Sequence, residues 1–206
     1  MAANILVGFF YVESESFQAM TELKQNPVSE KSIISQAVLA KKENGTIKVL
    51  DSFDSGAATL DDTLRGGLVG AFLGILGGPI GVLLGGSYGA LVGSALDTTD
   101  AIDQASMLAQ VADKIQDEEC VIIALTSEED ESILDEKFKN YHTTTLRYDA
   151  AVVAEEVEEA RLMEAEMARQ ARAELRKEKS AEFKSKVEEN RDKIKKHFDE
   201  LKNNLS

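Results

Sequence analysis

From Leu68 to Leu96 the chain runs for 29 residues without one charged side chain, and 9 of its 14 glycines fall inside that run. Gly66 and Gly67 stand at its mouth. Two ladders at four-residue spacing emerge: Gly66, Gly70, Gly74 and Gly78, then Gly77, Gly81, Gly85, Gly89 and Gly93. Residues four apart share a helix face, so each ladder predicts a groove free of side chains. A glycine costs about 0.5–1 kcal/mol against alanine in a helix interior. Such a row is tolerable where a second helix approaches closely enough for dispersion and weak Cα–H hydrogen bonds to compensate. Helical arms packed on a partner are therefore expected. Leu68, Val69, Phe72, Leu73, Ile75 and Leu76 cover the other side of the first arm. Val82, Leu83, Leu84, Leu91 and Val92 do so for the second, and Gly77-Gly78-Pro79 makes the bend.

The flanks decide how this segment is held. Ile5 to Val12 is an apolar run of strand length, rich in aromatic and β-branched residues. Ser14 or Ser16 offers an N-cap for a helix carrying Phe17, Met20 and Leu23, which Asn26-Pro27 stops. Ser32 to Lys41 and Thr46 to Phe53 predict a hairpin about Asn44-Gly45. Beyond the glycines, Asp97 to Ile115 predicts an amphipathic helix and Glu119 to Leu125 a buried strand. The order is β-α-β-β-insert-α-β, an α+β chain with a ferredoxin-like split βαβ sheet. A short helix (Ser127 to Lys139) and an edge strand (Thr143 to Tyr148) follow. Three regions result: 1–63 with 97–150 as the α+β domain, 64–96 as the glycine-zipper hairpin, and 151–206 as a long charged helix.

A single membrane span would separate strands that belong to one sheet, so the glycine segment is read as a hairpin. Its first arm, about 20 Å long, falls short of the roughly 30 Å hydrocarbon core. Asp61, Asp62, Asp97, Asp100 and Asp103 flank it, with Arg65 the one basic neighbour, against the usual pattern of basic cytoplasmic flanks. Packing within a homo-oligomer is favoured over membrane insertion. Both are favoured over burial within the chain, which needs more covering surface than so small a domain offers.

Val7 to Leu23, the hairpin about Asn44-Gly45, the segment Gly66 to Leu96, the amphipathic helix and the strand Val121 to Leu125 are together similar to the domain-of-unknown-function 1269 family. The resemblance spans about Ile5 to Glu159. It implies a bacterial or archaeal protein of a kind sometimes labelled stress-related or membrane-associated. That family has no established activity, so the resemblance carries no catalytic residue onto this chain.

Chemistry-bearing motifs are thin. His142 and His197 read as surface residues, and no metal-ligand spacing surrounds either. Cys120 opens an apolar strand and reads as an inert buried thiol. The glycines lack the Lys-Ser/Thr end of a phosphate-binding loop. Glu128-Glu129-Asp130-Glu131 reads as the first turn of a helix, complementing its dipole, as do Glu155, Glu156, Glu158 and Glu159. No catalytic residue, cofactor, metal or small-molecule substrate is expected.

Net charge is −14, which disfavours nucleic acid. The first 150 residues hold 23 acidic and 10 basic side chains, and the tail is nearly neutral. In that tail Phe183, Val187, Ile194, Phe198 and Leu201 form a narrow seam suited to a coiled coil or a docked helix. MAANILVGFFYVESES has no basic n-region, so no signal peptide is expected. With a single cysteine, the cytoplasm or the cytoplasmic face of a membrane is the expected location. The sequence thus points to a non-enzymatic, self-assembling protein, oligomeric or filamentous. Its rival is a membrane-anchored sensor or regulatory domain inserted through the same hairpin.

Overall fold

A computed structural model of the chain describes residues 2–57, 67–85 and 107–204, excepting the side chains of 83–85, 178–184, 187–188 and 190–204. The chain divides into two compact units, Met1–Arg161 and Leu162–Ser206. The first holds a five-stranded sheet. The second is, in its described residues, the remainder of one long helix.

Five strands, β1 (Ala2–Phe10), β2 (Ser32–Glu43), β3 (Thr46–Asp54), β4 (Cys120–Glu128) and β5 (Thr143–Asp149), lie in the order β3-β2-β4-β1-β5. Every neighbouring pair is antiparallel. β1 and β4 align from Ala2↔Glu128 to Phe10↔Cys120, and β4 also pairs along β2, so it fills the place between β1 and β2. The third strand in sequence stands at the edge instead. The predicted hairpin is present: Asn44 and Gly45 adopt positive φ of 51° and 74°, the backbone that a two-residue turn requires.

Helices cover both faces, which explains why β4 reads as an unbroken apolar run: all nine of its residues are buried. On one face Leu6, Phe10, Ile34, Leu39, Ile122 and Ala124 pack with Ala19, Met20 and Leu23 of α1 (Glu13–Gln25). Leu134 and Phe138 of a short helix, Ser132–Phe138, complete that layer. The opposite face, with Ile5, Val7, Phe9, Val121, Ile123 and Leu125, is covered by three other elements. These are α2 (Leu68–Gly77), a helix over Met107–Lys114, and the start of the helix Ala150–Asn204. With α3 (Pro79–Gly85), the described residues hold six helices; the last three are α4 (Met107–Lys114), α5 (Ser132–Phe138) and α6 (Ala150–Asn204).

Several boundaries depart from expectation. α1 is capped by Val12 in an extended conformation, without a side-chain hydrogen bond. β1 runs to Phe10, so the turn comes early. Ser14 and Ser16 then fall inside the helix, where Ser16 Oγ donates to the Glu13 carbonyl at 2.6 Å. β4 continues past Leu125 to Glu128, and α5 begins only at Ser132, five residues later than Ser127. The acidic run therefore does not form a first helical turn. Asp130 instead takes the Ser132 amide (3.1 Å) and hydroxyl (2.6 Å) ahead of α5. α6 starts at Ala150, with Asp149 Oδ1 accepting the amides of Ala151 and Val152. Its first three turns bury Ala150, Val153, Val157 and Ala160 on the sheet, so the tail proper begins later than residue 151. Residues 97–106 of the expected amphipathic helix lie outside the described residues.

Candidate interaction surface

α2 has two unlike sides. Leu68, Val69, Phe72, Leu73, Ile75 and Leu76 are buried against the sheet, with Phe72 fully enclosed. The first arm's apolar side is thus covered within the chain, contrary to the expectation from domain size. The reason is the sheet's second face, whose alternate residues are apolar across β1 and β4 and which no helix among the described residues before α2 covers.

The glycine side points away from that face. Gly70, Gly74 and Gly77 are exposed. A methyl group at Gly70 or Gly74 meets no described atom within 4 Å, and one at Gly77 would touch Ile47 Cβ at 3.5 Å. The remaining ladder positions separate. Gly78 is extended (φ −90°, ψ −177°) and ends α2, while Pro79 opens α3, as the Gly-Gly-Pro break predicts. Gly77 and Gly81 consequently stand on different helices, and no single ladder passes through both. Gly81 is an interior glycine: a methyl there would lie 2.0 Å from the Leu76 carbonyl oxygen. Gly85 ends α3, and Gly66, Gly89 and Gly93 lie outside the described residues. Phe183, Val187, Ile194, Phe198 and Leu201 all fall within α6, their side chains outside the described set. Nearer the start of that tail, Leu162, Met163 and Leu175 are 55–63% exposed.

At ten residues, α2 is about 15 Å long. Among the described residues no helix is long and apolar enough to cross a membrane. Beside α2, Lys42, Ile47, Leu76, Val82, Ala112 and Ile115 line a cleft of about 90 Å³, well below the roughly 300–1,000 Å³ of small-molecule sites. Lys42 Nζ is engaged there, donating to the Ile115 carbonyl at 2.9 Å.

Polar side chains elsewhere serve the fold. Glu128, with its side chain fully buried, is held by Arg147 in a two-pronged pair: Nε to Oε2 at 2.9 Å and Nη2 to Oε1 at 3.2 Å. Thr126 Oγ1 donates to the same carboxylate at 3.1 Å, and Arg147 Nη2 reaches Asp135 Oδ1 at 3.0 Å. Burial opposes the charged guanidinium, but Glu128 and Asp135 outweigh it and hold its pKa above the ordinary value. The only sequence signal for this hub is Arg147 itself, the sole lysine or arginine between 140 and 160. Cys120 is buried, and burial pushes its thiol up. His142 is exposed, and its Nδ1 lies 2.9 Å from Glu15 Oε1, a hydrogen bond that lowers the Glu15 carboxyl. Among the described residues no three or more His, Cys, Asp or Glu are arranged to hold a metal ion.

No curated protein and no solved structure matches the chain. Residues 63–165, half of its length, match a family described as Protein of unknown function (DUF1269). That stretch takes in α2, α3, α4, β4, α5, β5 and the first four turns of α6, and so includes the central strand and elements from both faces of the sheet. The chain therefore belongs to the family described as Protein of unknown function (DUF1269).

Proposed function

We propose that this chain is a non-enzymatic, self-associating protein of the cytoplasm whose copies meet through the glycine side of α2. One observation carries the reading. Gly70 and Gly74 sit in the middle of a helix, face away from the sheet, and touch no described atom that would require them to lack a side chain. Each costs the isolated fold about 0.5–1 kcal/mol against alanine. A backbone-to-backbone approach by a second helix is the packing that would make use of them. Exposed Leu162, Met163 and Leu175 support a second contact through α6, continued by the Phe183 to Leu201 seam.

We further read the sheet as ferredoxin-like with one added strand. β1, α1, β2, β4, α5 and β5 supply the βαββαβ order, β4 lies between β1 and β2, and β3 is the addition. The glycine-zipper hairpin is then an insert between β3 and α4.

Gly70→Leu combined with Gly74→Leu tests the association. Size-exclusion chromatography with light scattering should show a multimer for the wild type and a monomer for the variant, with the far-UV circular dichroism spectrum unchanged. An unchanged mass would reject the glycine face as the contact. Carbonate washing of cell fractions distinguishes the rival: protein released only by detergent would favour membrane anchoring over soluble assembly.

A further inference from the structure

The first three turns of α6 do more than cover the sheet. Ala150, Val153, Val157 and Ala160 join the same apolar cluster as α2 and α4. From this stretch the Glu156 carboxylate reaches a part of the chain nearly fifty residues earlier. Its Oε1 accepts the Met107 amide at 3.0 Å and its Oε2 the Leu108 amide at 3.1 Å. Amides in a helix's first turn have no carbonyl partner within the helix, and a charged acceptor makes roughly twice the bond that a neutral one does. The Tyr148 hydroxyl adds a contact to Gln110 Oε1 at 3.4 Å, so α4 is gripped from β5 as well. α4 packs in turn against α2 and α3.

We propose that Ala150–Ala160 is a strap that seats α4 and, through it, α2, with Glu156 as its latch on α4. The sheet face would hold α2 only weakly without α4 beside it, because α2 is ten residues long and buries a single side. Opening the latch loosens α4 first and α2 through it. Whatever engages the remainder of α6 then acts on the seating of α2. The strap stands on hydrogen bonds and burial alone and does not depend on whether the glycine face binds a second copy.

Amide hydrogen exchange on the full chain tests this, comparing wild type with Glu156→Ala, Glu156→Gln and, as a control, the exposed neighbour Glu155→Ala. Glu156→Ala should speed exchange at Met107 and Leu108 by about tenfold or more. A smaller rise should appear across Phe72 to Leu76, with Ile122 to Leu125 in β4 unchanged. Glu156→Gln, which keeps one acceptor oxygen, should fall between, and Glu155→Ala should match wild type. Faster exchange confined to Met107 and Leu108 would make Glu156 a local cap and overturn the strap. So would no change at all, or an equal rise in β4, which would mean general loosening.

Discussion

One face of the sheet is covered by α1 and α5, each lying in sequence directly between two strands it covers. The other is covered by α2 from the glycine-rich segment, by α4 beyond it and by the opening of α6. Both are tightly buried, with Met20 fully enclosed on the first and Phe72 on the second. They differ in what lies outside. α1 turns an ordinary charged side outward, whereas α2 turns out glycine. A segment whose composition signals a partner can thus be core on one side while it leaves only glycine exposed on the other. The two roles separate cleanly at four-residue spacing.

Core substitutions give the strongest comparison of the two faces. Phe72→Ala should cost about 3–5 kcal/mol in urea unfolding, close to the roughly 2–5 kcal/mol of Met20→Ala on the opposite face. A near-zero cost at Phe72 would mean that α2 is an arm held in reserve rather than a core helix. Next comes the hub between β4, α5 and β5. Arg147→Met leaves the Glu128 carboxylate buried and uncompensated, for an expected loss of about 3–5 kcal/mol. Adding Glu128→Leu to the same chain should restore most of it, since the pair rather than either charge is what the site tolerates.

The glycine side itself should behave in the opposite sense. In the dissociated chain Gly74→Ala, with no described atom near it, should raise the unfolding free energy by about 0.5–1 kcal/mol, whereas Gly81→Ala should lower it. If both destabilise, the outward side of α2 is not open. The smallest effect lies on the α1 face, where the Lys24 hydrogen bond holds the Asp51 carboxyl below its ordinary value of 3.8. A lowered carboxylate contributes stability above the unfolded value and loses it as pH falls through the folded one. With both side chains about a third exposed, the contribution is a few tenths of a kcal/mol. Urea midpoints from about pH 6 to pH 2 should therefore converge for wild type and Asp51→Asn at the acid end.

Local signals were legible where one short stretch carries its own cause. Asn44-Gly45 marks its turn, Gly77-Gly78-Pro79 its bend, and the Cys120 run its doubly covered strand. What pattern could not give was partnership across distance. Four consecutive acidic residues, Glu128 to Glu131, look alike as a helix start. Only Arg147, 19 positions on, makes Glu128 a buried strand end. Glu156 likewise looks like helix-start charge until the Met107 and Leu108 amides are placed beside it. The order of strands was hidden for the same reason. Apolar runs state that a strand is buried, not which neighbour it takes. The two glycine ladders both take in residues of the Gly77-Gly78-Pro79 bend, and four-residue spacing alone does not register that Gly78 leaves the helix.

The central place of β4 also sets a schedule. β1 ends at Phe10 and β2 begins at Ser32, yet the strand that joins them is Cys120–Glu128. Until that stretch has left the ribosome, β1 and β2 have no neighbour in common, and only the β2–β3 hairpin can form locally. α2 emerges still earlier, with its six apolar side chains and no finished surface to receive them. A chain so arranged folds late and through distant contacts. The same leucines, valine, isoleucine and phenylalanine that end up sealed against the sheet are the ones a nascent chain must keep from its neighbours in the meantime.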